Sequence, residues 1–307
     1  MVTSPGGPAA RTTTGEVHRH GLLVGTAQAG VRMIGGSADD RYPSGVDLDR
    51  PSAARVYDAL LGGSANFAVD RALARQMLTA EPNAARWAQA NRAFLRRAVD
   101  FLLDEGVRQF VDLGSGLPTV GNVHEIVHAA DPDGRVVYVD VDPVAVAHGQ
   151  SLLAGDGRAV VVQADIRDVD AILADPATQD LIDFDQPVGV LAVAVLHFVT
   201  DDPTPILAGF RSAAAPGSHL VVSHLTTPDE MSAAVVGVVA QYNTRTGTPL
   251  TFRSRAQVTD LFAGWRVLEP GVVPADTWWP EPGDLEEPGA RPRVPIWAGV
   301  ARLPYVA

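Results

Sequence analysis

Five stretches of this chain, "RQFVDL", "RVVYVD", "RAVVVQAD", "PVGVLAVAVLHF" and "HLVVSHL", are apolar almost without interruption, and amphipathic segments stand between several of them. A strand with one face in water would alternate polar and apolar residues. Runs apolar on both faces require cover on both sides, which predicts an α/β fold with five parallel strands in a doubly wound sheet. The intervening "VGNVHEIVHAA", "PVAVAHGQSLLA" and the segment from about Pro205 to Ala214 read as helices, and a long helix is expected to start near Pro228. At the end, a helix near Ser254 to Phe262 precedes "WRVLEP" and "PIWAGVAR". These two strands are predicted to pair as an antiparallel hairpin across a Pro- and acid-rich loop, in which Trp278 and Trp279 either anchor the loop to the body or floor an acceptor pocket, anchoring being the first choice.

Upstream of the sheet the rhythm is helical. In "DRPSAARVYDALLGG", Asp49 offers a cap, Pro51 sits in the first turn and glycines end the helix. Two more helices are predicted over Phe67–Thr79 and Pro82–Asp104, the second with Trp87, Asn91, Phe94 and Ala98 on one stripe. The expected organisation is a flexible N-terminal arm over 1–45, a helical lid or cap over 46–106, and the sheet domain over 107–307.

Composition removes several chemistries. All 24 basic residues are arginine and there is no cysteine, which excludes a P-loop or Schiff-base lysine, a thiolate nucleophile and cysteine-ligated metal. The formal charge of −12 opposes attachment to nucleic acid or an anionic membrane. Neither a secretory signal nor a membrane span is visible, so a cytoplasmic location is the expectation. His124 and His128 share a helix face, but Glu125 points elsewhere, and no metal site is expected.

The loop after the first apolar strand, "FVDLGSGLPT", lies where a doubly wound sheet binds its ligand. Gly114 and Gly116 permit a sharp turn and close backbone approach. Thr119 stands where a dinucleotide fingerprint has its third glycine, and Asp112 would repel a pyrophosphate on the same loop. A carboxylate there suits a ligand carrying an ammonium group. S-adenosylmethionine has one, and its ribose diol wants an acceptor at the end of the second strand, where Asp140 stands. Asp165, after the third strand, is placed to accept from the adenine amino group, with Ile166 beside the ring. Ser115 and Val141 flank these positions in the same predicted site. Asp142 before Pro143 reads as a helix N-cap.

These motifs, in the order "ARVYDALLGGSANFAVDR", "ANRAFLRRAV", "QFVDLGSGLPT", "VHE", "VVYVDVDP", "AVLHFV" and "EPGVVP", resemble the class I S-adenosylmethionine-dependent methyltransferases. The closer resemblance is to an actinobacterial S-adenosyl methyltransferase family first catalogued as a domain of unknown function. It covers roughly Asp47 to Arg302 and implies a Rossmann-like sheet with an antiparallel final strand, S-adenosylmethionine as cofactor, and no settled acceptor. The chain departs from that family at Ser64 and Ala65, where charged residues are common, so contacts from those positions are not carried over. Arg55, Tyr57 and Asn66, in the Gly-rich segment, are expected to close over the cofactor. Their alternative is ordinary packing, with Arg55 and Asp58 as a surface pair.

Methyl transfer is an in-line displacement that depends mainly on positioning. His197, after the fourth strand, is the first choice for a base, with shaping of the cofactor pocket as its other reading. His224 is a second candidate. The function expected is O- or N-methylation of a small-molecule acceptor. The alternatives are a non-catalytic module that binds S-adenosylmethionine or S-adenosylhomocysteine to regulate a partner, and a nicotinamide-dependent oxidoreductase, which Asp112 and the absent third glycine oppose.

Overall fold

The computed structural model describes residues 47–118, 121–226, 233–246, 248–280 and 294–305. The expected arm over 1–45, the first residue of the helix read in "VGNVHEIVHAA", the helix start near Pro228 and most of the acid-rich loop lie outside the described residues.

Strands β1 (Gln109–Leu113), β2 (Arg135–Asp140), β3 (Ala159–Gln163), β4 (Gly189–Val193) and β5 (His219–Leu225) are joined by β6 (Arg266–Val267), β7 (Val273–Pro274) and β8 (Ile296–Arg302). They form one sheet of order β3-β2-β1-β4-β5-β8-β6, with β7 also pairing with β8. The first five are parallel, as their apolar character requires, and β8 runs antiparallel to β5. The C-terminal strand therefore lies between β5 and β6, and the predicted pairing of the last two strands occurs as β6 with β8.

The helices are α1 (Ala53–Leu60), α2 (Ala68–Ala80), α3 (Ala84–Asp104), α4 (Val123–Ala130), α5 (Pro143–Leu152), α6 (Val169–Ala174), α7 (Pro176–Leu181), α8 (Thr204–Ala213), α9 (Ala233–Arg245) and α10 (Arg255–Asp260). The pair α6 and α7 was not anticipated. Each is six residues long, too short to show a helical period, and each begins at an aspartate cap, Asp168 or Asp175. Asp142 caps α5 by accepting from Val144 N, with Pro143 at the first helical position.

The period of two along each strand decides which layer a residue meets. Val111, Leu113, Val137 and Val139 join the core under Ile172, Ile206 and Phe210, on the side of α6 and α8. Phe110, Val136 and Tyr138 face Phe94, Leu102 and Val127, on the side of α3 and α4. Asp112 and Asp140 share the parity of this second set, which puts both carboxylates on the face that α3 covers. Trp278 is buried in this layer against Phe94 and Phe101, at ring distances of 5.5 and 5.9 Å, and Arg97 donates to its carbonyl and to that of Ala275. It anchors the C-terminal loop. A smaller core of Val56, Leu73, Ala74 and Tyr242 ties α1 and α2 to α9.

Candidate functional site

The strand order reverses between β1 and β4, and at such a switch point the loops part to leave a crevice. A cavity of about 660 Å³ lies there, within the range of small-ligand sites. It brings together Asp112, Gly114, Ser115, Gly116, Asp140, Val141, Asp165, Ile166, Arg55, Tyr57 and His197. Asn66 is not among its lining residues.

Asp112 is 6% exposed. Among the described residues no hydrogen bond reaches its carboxylate. Burial pushes its pKa up to about 7, Arg92 draws it down, and Asp140 raises it further. Arg92 comes from α3, lines the same cavity and donates to the carbonyl of Gly121. It was not singled out in the sequence, because in "ANRAFLRRAV" three arginines look alike.

The glycine loop is locked onto β2. Gly114 N and Ser115 N both donate to Val139 O, at 2.7 and 3.1 Å. The Asp140 carboxylate accepts from Gly116 N at 2.7 Å and from Asp142 N at 2.8 Å. Burial raises the pKa of Asp140 and these backbone donors offset part of the rise. Each oxygen still has a lone pair for a further donor, so Asp140 can shape the loop and also receive a hydroxyl pair. The two glycines differ in what they tolerate. Both have φ +66°, but a Cβ on Gly114 would stand 2.2 Å from Val195 Cγ2, whereas one on Gly116 meets open space. Gly114→Ala is expected to lower stability by about 2 to 3 kcal/mol, through backbone strain plus the clash, and Gly116→Ala by about 1 kcal/mol. Urea unfolding of both variants checks this, and equal losses would refute it.

Asp165 follows β3 and forms a bidentate pair with Arg167, whose Nε lies 2.9 and 3.0 Å from its two oxygens. The side-chain hydrogen bonds from Arg167 hold its pKa below the usual carboxylate range. An adenine amino group would share this carboxylate with Arg167. Ile166 is buried beside it, while Val141 is 60% exposed at the rim.

Arg55 and Asp58 are both buried, which corrects the surface-pair reading. Arg55 Nε lies 2.8 Å from Asp70 Oδ2, Arg55 Nη2 donates to the carbonyls of Asp47 and Arg50, and the guanidinium stacks 4.7 Å from the Phe67 ring. Asp70 also accepts from Ser52 N and Phe67 N. Ser52 Oγ in turn donates to Asp142, so this network reaches the start of α5. Asn66 spends both amide hydrogens on Asp58 Oδ2 and Gly63 O, and its oxygens accept from Arg71. The structure thus gives Asn66 the work of clamping the α1–α2 loop. Tyr57 lines the cavity, donates to Ala88 O and accepts from Asn91. Asn91 continues to Ser223 on β5, whose hydroxyl accepts from Ala194 N. Ala194, at φ +57°, turns the chain out of β4.

That turn leads into His197, in the short 3-10 turn Leu196–Phe198. His197 is 5% exposed, its Nδ1 is buried with no partner among the described residues, and it lines the cavity. Burial, then the neighbouring His224 and Arg253, hold its pKa well below the ordinary imidazole value. The ring is neutral near pH 7 and able to accept a proton. His224 cannot serve as the second base. Its Nδ1 donates to Leu225 O, and its Nε2 accepts from Arg253 at 2.7 Å, so its lone pair is taken. Arg253 also binds the carbonyls of Leu196, Val199 and Asp201 and fixes the loop that carries His197. His124 and His128 each have a separate partner, Tyr138 and Gly134 O.

Known proteins share this arrangement of chain and sheet. Residues 39–304 match the family described as S-adenosyl methyltransferase. The crystal structure of a proposed methyltransferase from Thermobifida fusca YX is 39% identical, with 86% of this chain and 98% of that one aligned at a TM-score of 0.77. A DUF574 family protein from Streptomyces avermitilis MA-4680 is 34% identical over 84% of this chain and 99% of its own, at a TM-score of 0.79. Among curated proteins, the ribosomal RNA small subunit methyltransferase H of Methylobacterium sp. (strain 4-46) is 43% identical over 75 residues. That match spans only 22% of the relative's length.

Proposed function

Because this chain belongs to the S-adenosyl methyltransferase family, and is by that membership an S-adenosylmethionine-dependent methyltransferase, we propose that it methylates an oxygen or nitrogen of a small-molecule metabolite, with His197 as the proton acceptor. The observation that carries the site assignment is Asp112, a buried carboxylate without a hydrogen bond among the described residues, in the field of Arg92. An amino-acid ligand answers both groups, its ammonium on Asp112 and its carboxylate toward Arg92. Asp140 takes the ribose diol, Gly114 lets the backbone approach, and Ile166 packs beside the adenine. When bound, S-adenosylmethionine supplies a methyl group on a sulfonium. His197 would take the proton that the acceptor's hydroxyl or amine gives up on methylation. With its pKa held low, His197 is a weak base that stays unprotonated, and the rate depends chiefly on alignment and on exclusion of water. The RNA acceptor of the partial curated relative is not carried over, since 36 acidic against 24 basic residues disfavour a polyanion.

Calorimetric titration with S-adenosylhomocysteine, with NAD as control, tests the site. Micromolar binding is expected, NAD should be silent, and Asp140→Ala should weaken binding by about 2 kcal/mol. Because Asp112 must ionise to meet an ammonium, affinity should rise about tenfold from about pH 6 to about pH 8, with a proton released on binding at the lower pH. Flat affinity across that window would remove Asp112 from the site. His197→Ala should slow turnover by roughly a hundredfold with cofactor affinity kept. A large affinity loss would place His197 in the cofactor pocket instead. Absence of any turnover with cell extract, despite binding, would favour a regulatory module.

A further inference from the structure

The cavity has two chemically different regions. Its charged lining residues come from residues 47–58, from Arg92 on α3 and from the ends of β1, β2 and β3 with the loops that follow. The lining contributed by α2, the turn after β4, residues 248–250 and α9 contains no formal charge. There Leu60, Met77, Phe198 and Leu250 pack around the small core that contains Tyr242. Three residues that line the cavity each bury a polar atom with no partner among the described residues, His197 Nδ1, Trp87 Nε1 and the Tyr242 hydroxyl. Burial keeps that hydroxyl protonated, its pKa pushed up to about 12.

Unpartnered polar atoms in a water-poor place are costly, and a ligand toward which these side chains turn to make a hydrogen bond recovers that cost. A charged ligand would bring an ion against a lining without formal charge. The cation behind it, Arg253, already spends its donors on His224 and on the carbonyls of Leu196, Val199 and Asp201, so the ion gains no direct pair to offset its desolvation. Resting on the methyltransferase reading, we propose that the methyl acceptor is an uncharged, largely apolar molecule, aromatic or alicyclic, that presents one hydroxyl or amine to His197. Its ring lies against Met77, Phe198 and Leu250. Charge, rather than size, is what this region rejects.

The test uses the full chain saturated with S-adenosylhomocysteine, whose binding is measured first. 2-Naphthol and 2-naphthoate, which share the naphthalene ring and differ in charge at neutral pH, are then titrated as probes. The neutral probe should bind at least about tenfold more tightly. Leu250→Glu should weaken 2-naphthol by about tenfold or more while S-adenosylhomocysteine affinity stays at the wild-type value. If that variant loses S-adenosylhomocysteine binding as well, Leu250→Gln replaces it, with the same direction expected. Equal affinity for the two probes, no binding of either to a protein that holds S-adenosylhomocysteine, or indifference of 2-naphthol to both Leu250 substitutions would overturn the proposal. Failure to bind S-adenosylhomocysteine at all would instead bring down the site assignment beneath it.

Discussion

Asp112→Asn should make the protein more stable and at the same time deprive it of its cofactor. In the folded chain the carboxyl keeps its proton up to about pH 7, whereas in the unfolded chain it ionises near 3.8. Between those values the folded state binds more protons, so stability falls as pH rises, and above the folded value the full penalty is present. A difference of about 3 units is worth up to about 4 kcal/mol. Asparagine has the same shape and never ionises, so the variant should gain most of that figure at about pH 8 and almost none at about pH 4. The same exchange removes the charge that meets the ligand's ammonium, and S-adenosylhomocysteine affinity should fall roughly thirtyfold or more. Urea unfolding at the two pH values, together with calorimetry, reads both effects. A variant no more stable at the higher pH, or one that binds as well as wild type, would contradict this role for Asp112.

Arg55→Ala is expected to give the largest loss of stability, about 3 to 5 kcal/mol, because it strands a buried charge. Asp70, whose side chain is wholly inaccessible, would keep its two backbone donors and lose its only cationic partner among the described residues. The carbonyls of Asp47 and Arg50 would lose their donor as well. Arg55→Lys should recover little, since an ammonium cannot reach the carboxylate and the two carbonyls in the geometry of a planar fork. The loss should be local. Hydrogen exchange should quicken across α1 and α2, which have a small core of their own, and change little in β1 or β4. Uniform loss of protection across the sheet would show that the two helices are not held as a separate unit.

The sheet was legible because strands covered on both faces write their burial directly into the sequence, and the parallel pairing of the first five followed from that. Asp112 and Asp140 were legible for a related reason, as carboxylates that end otherwise apolar runs. Other positions were ambiguous in kind. Asn66, short and polar among glycines, suits a ligand and suits a loop clamp, and the partners that decide, Asp58 and Arg71, stand at other points of the chain. Asp165 has its competitor two residues away, in Arg167, which "DIR" displays openly. Arg92 and Arg97 share one helix, yet one lines the cavity and the other holds the backbone of Trp278. Helical spacing separates their faces without naming what each face meets. His224 looked available because nothing nearby in the sequence announces that Arg253 will take its lone pair.

The position of β8 imposes an order in time. It pairs with β5, β6 and β7, so during synthesis the flank of β5 stays bare until ~70 further residues have been made. At typical elongation rates that is on the order of several seconds, with an apolar edge open to any neighbouring strand. A nascent chain of this kind has reason to be sheltered over that interval. A product that stops short of Ile296 would not be a smaller working enzyme, but a sheet with β5 bare on one side, β6 and β7 without their partner, and a tendency to find one in another molecule.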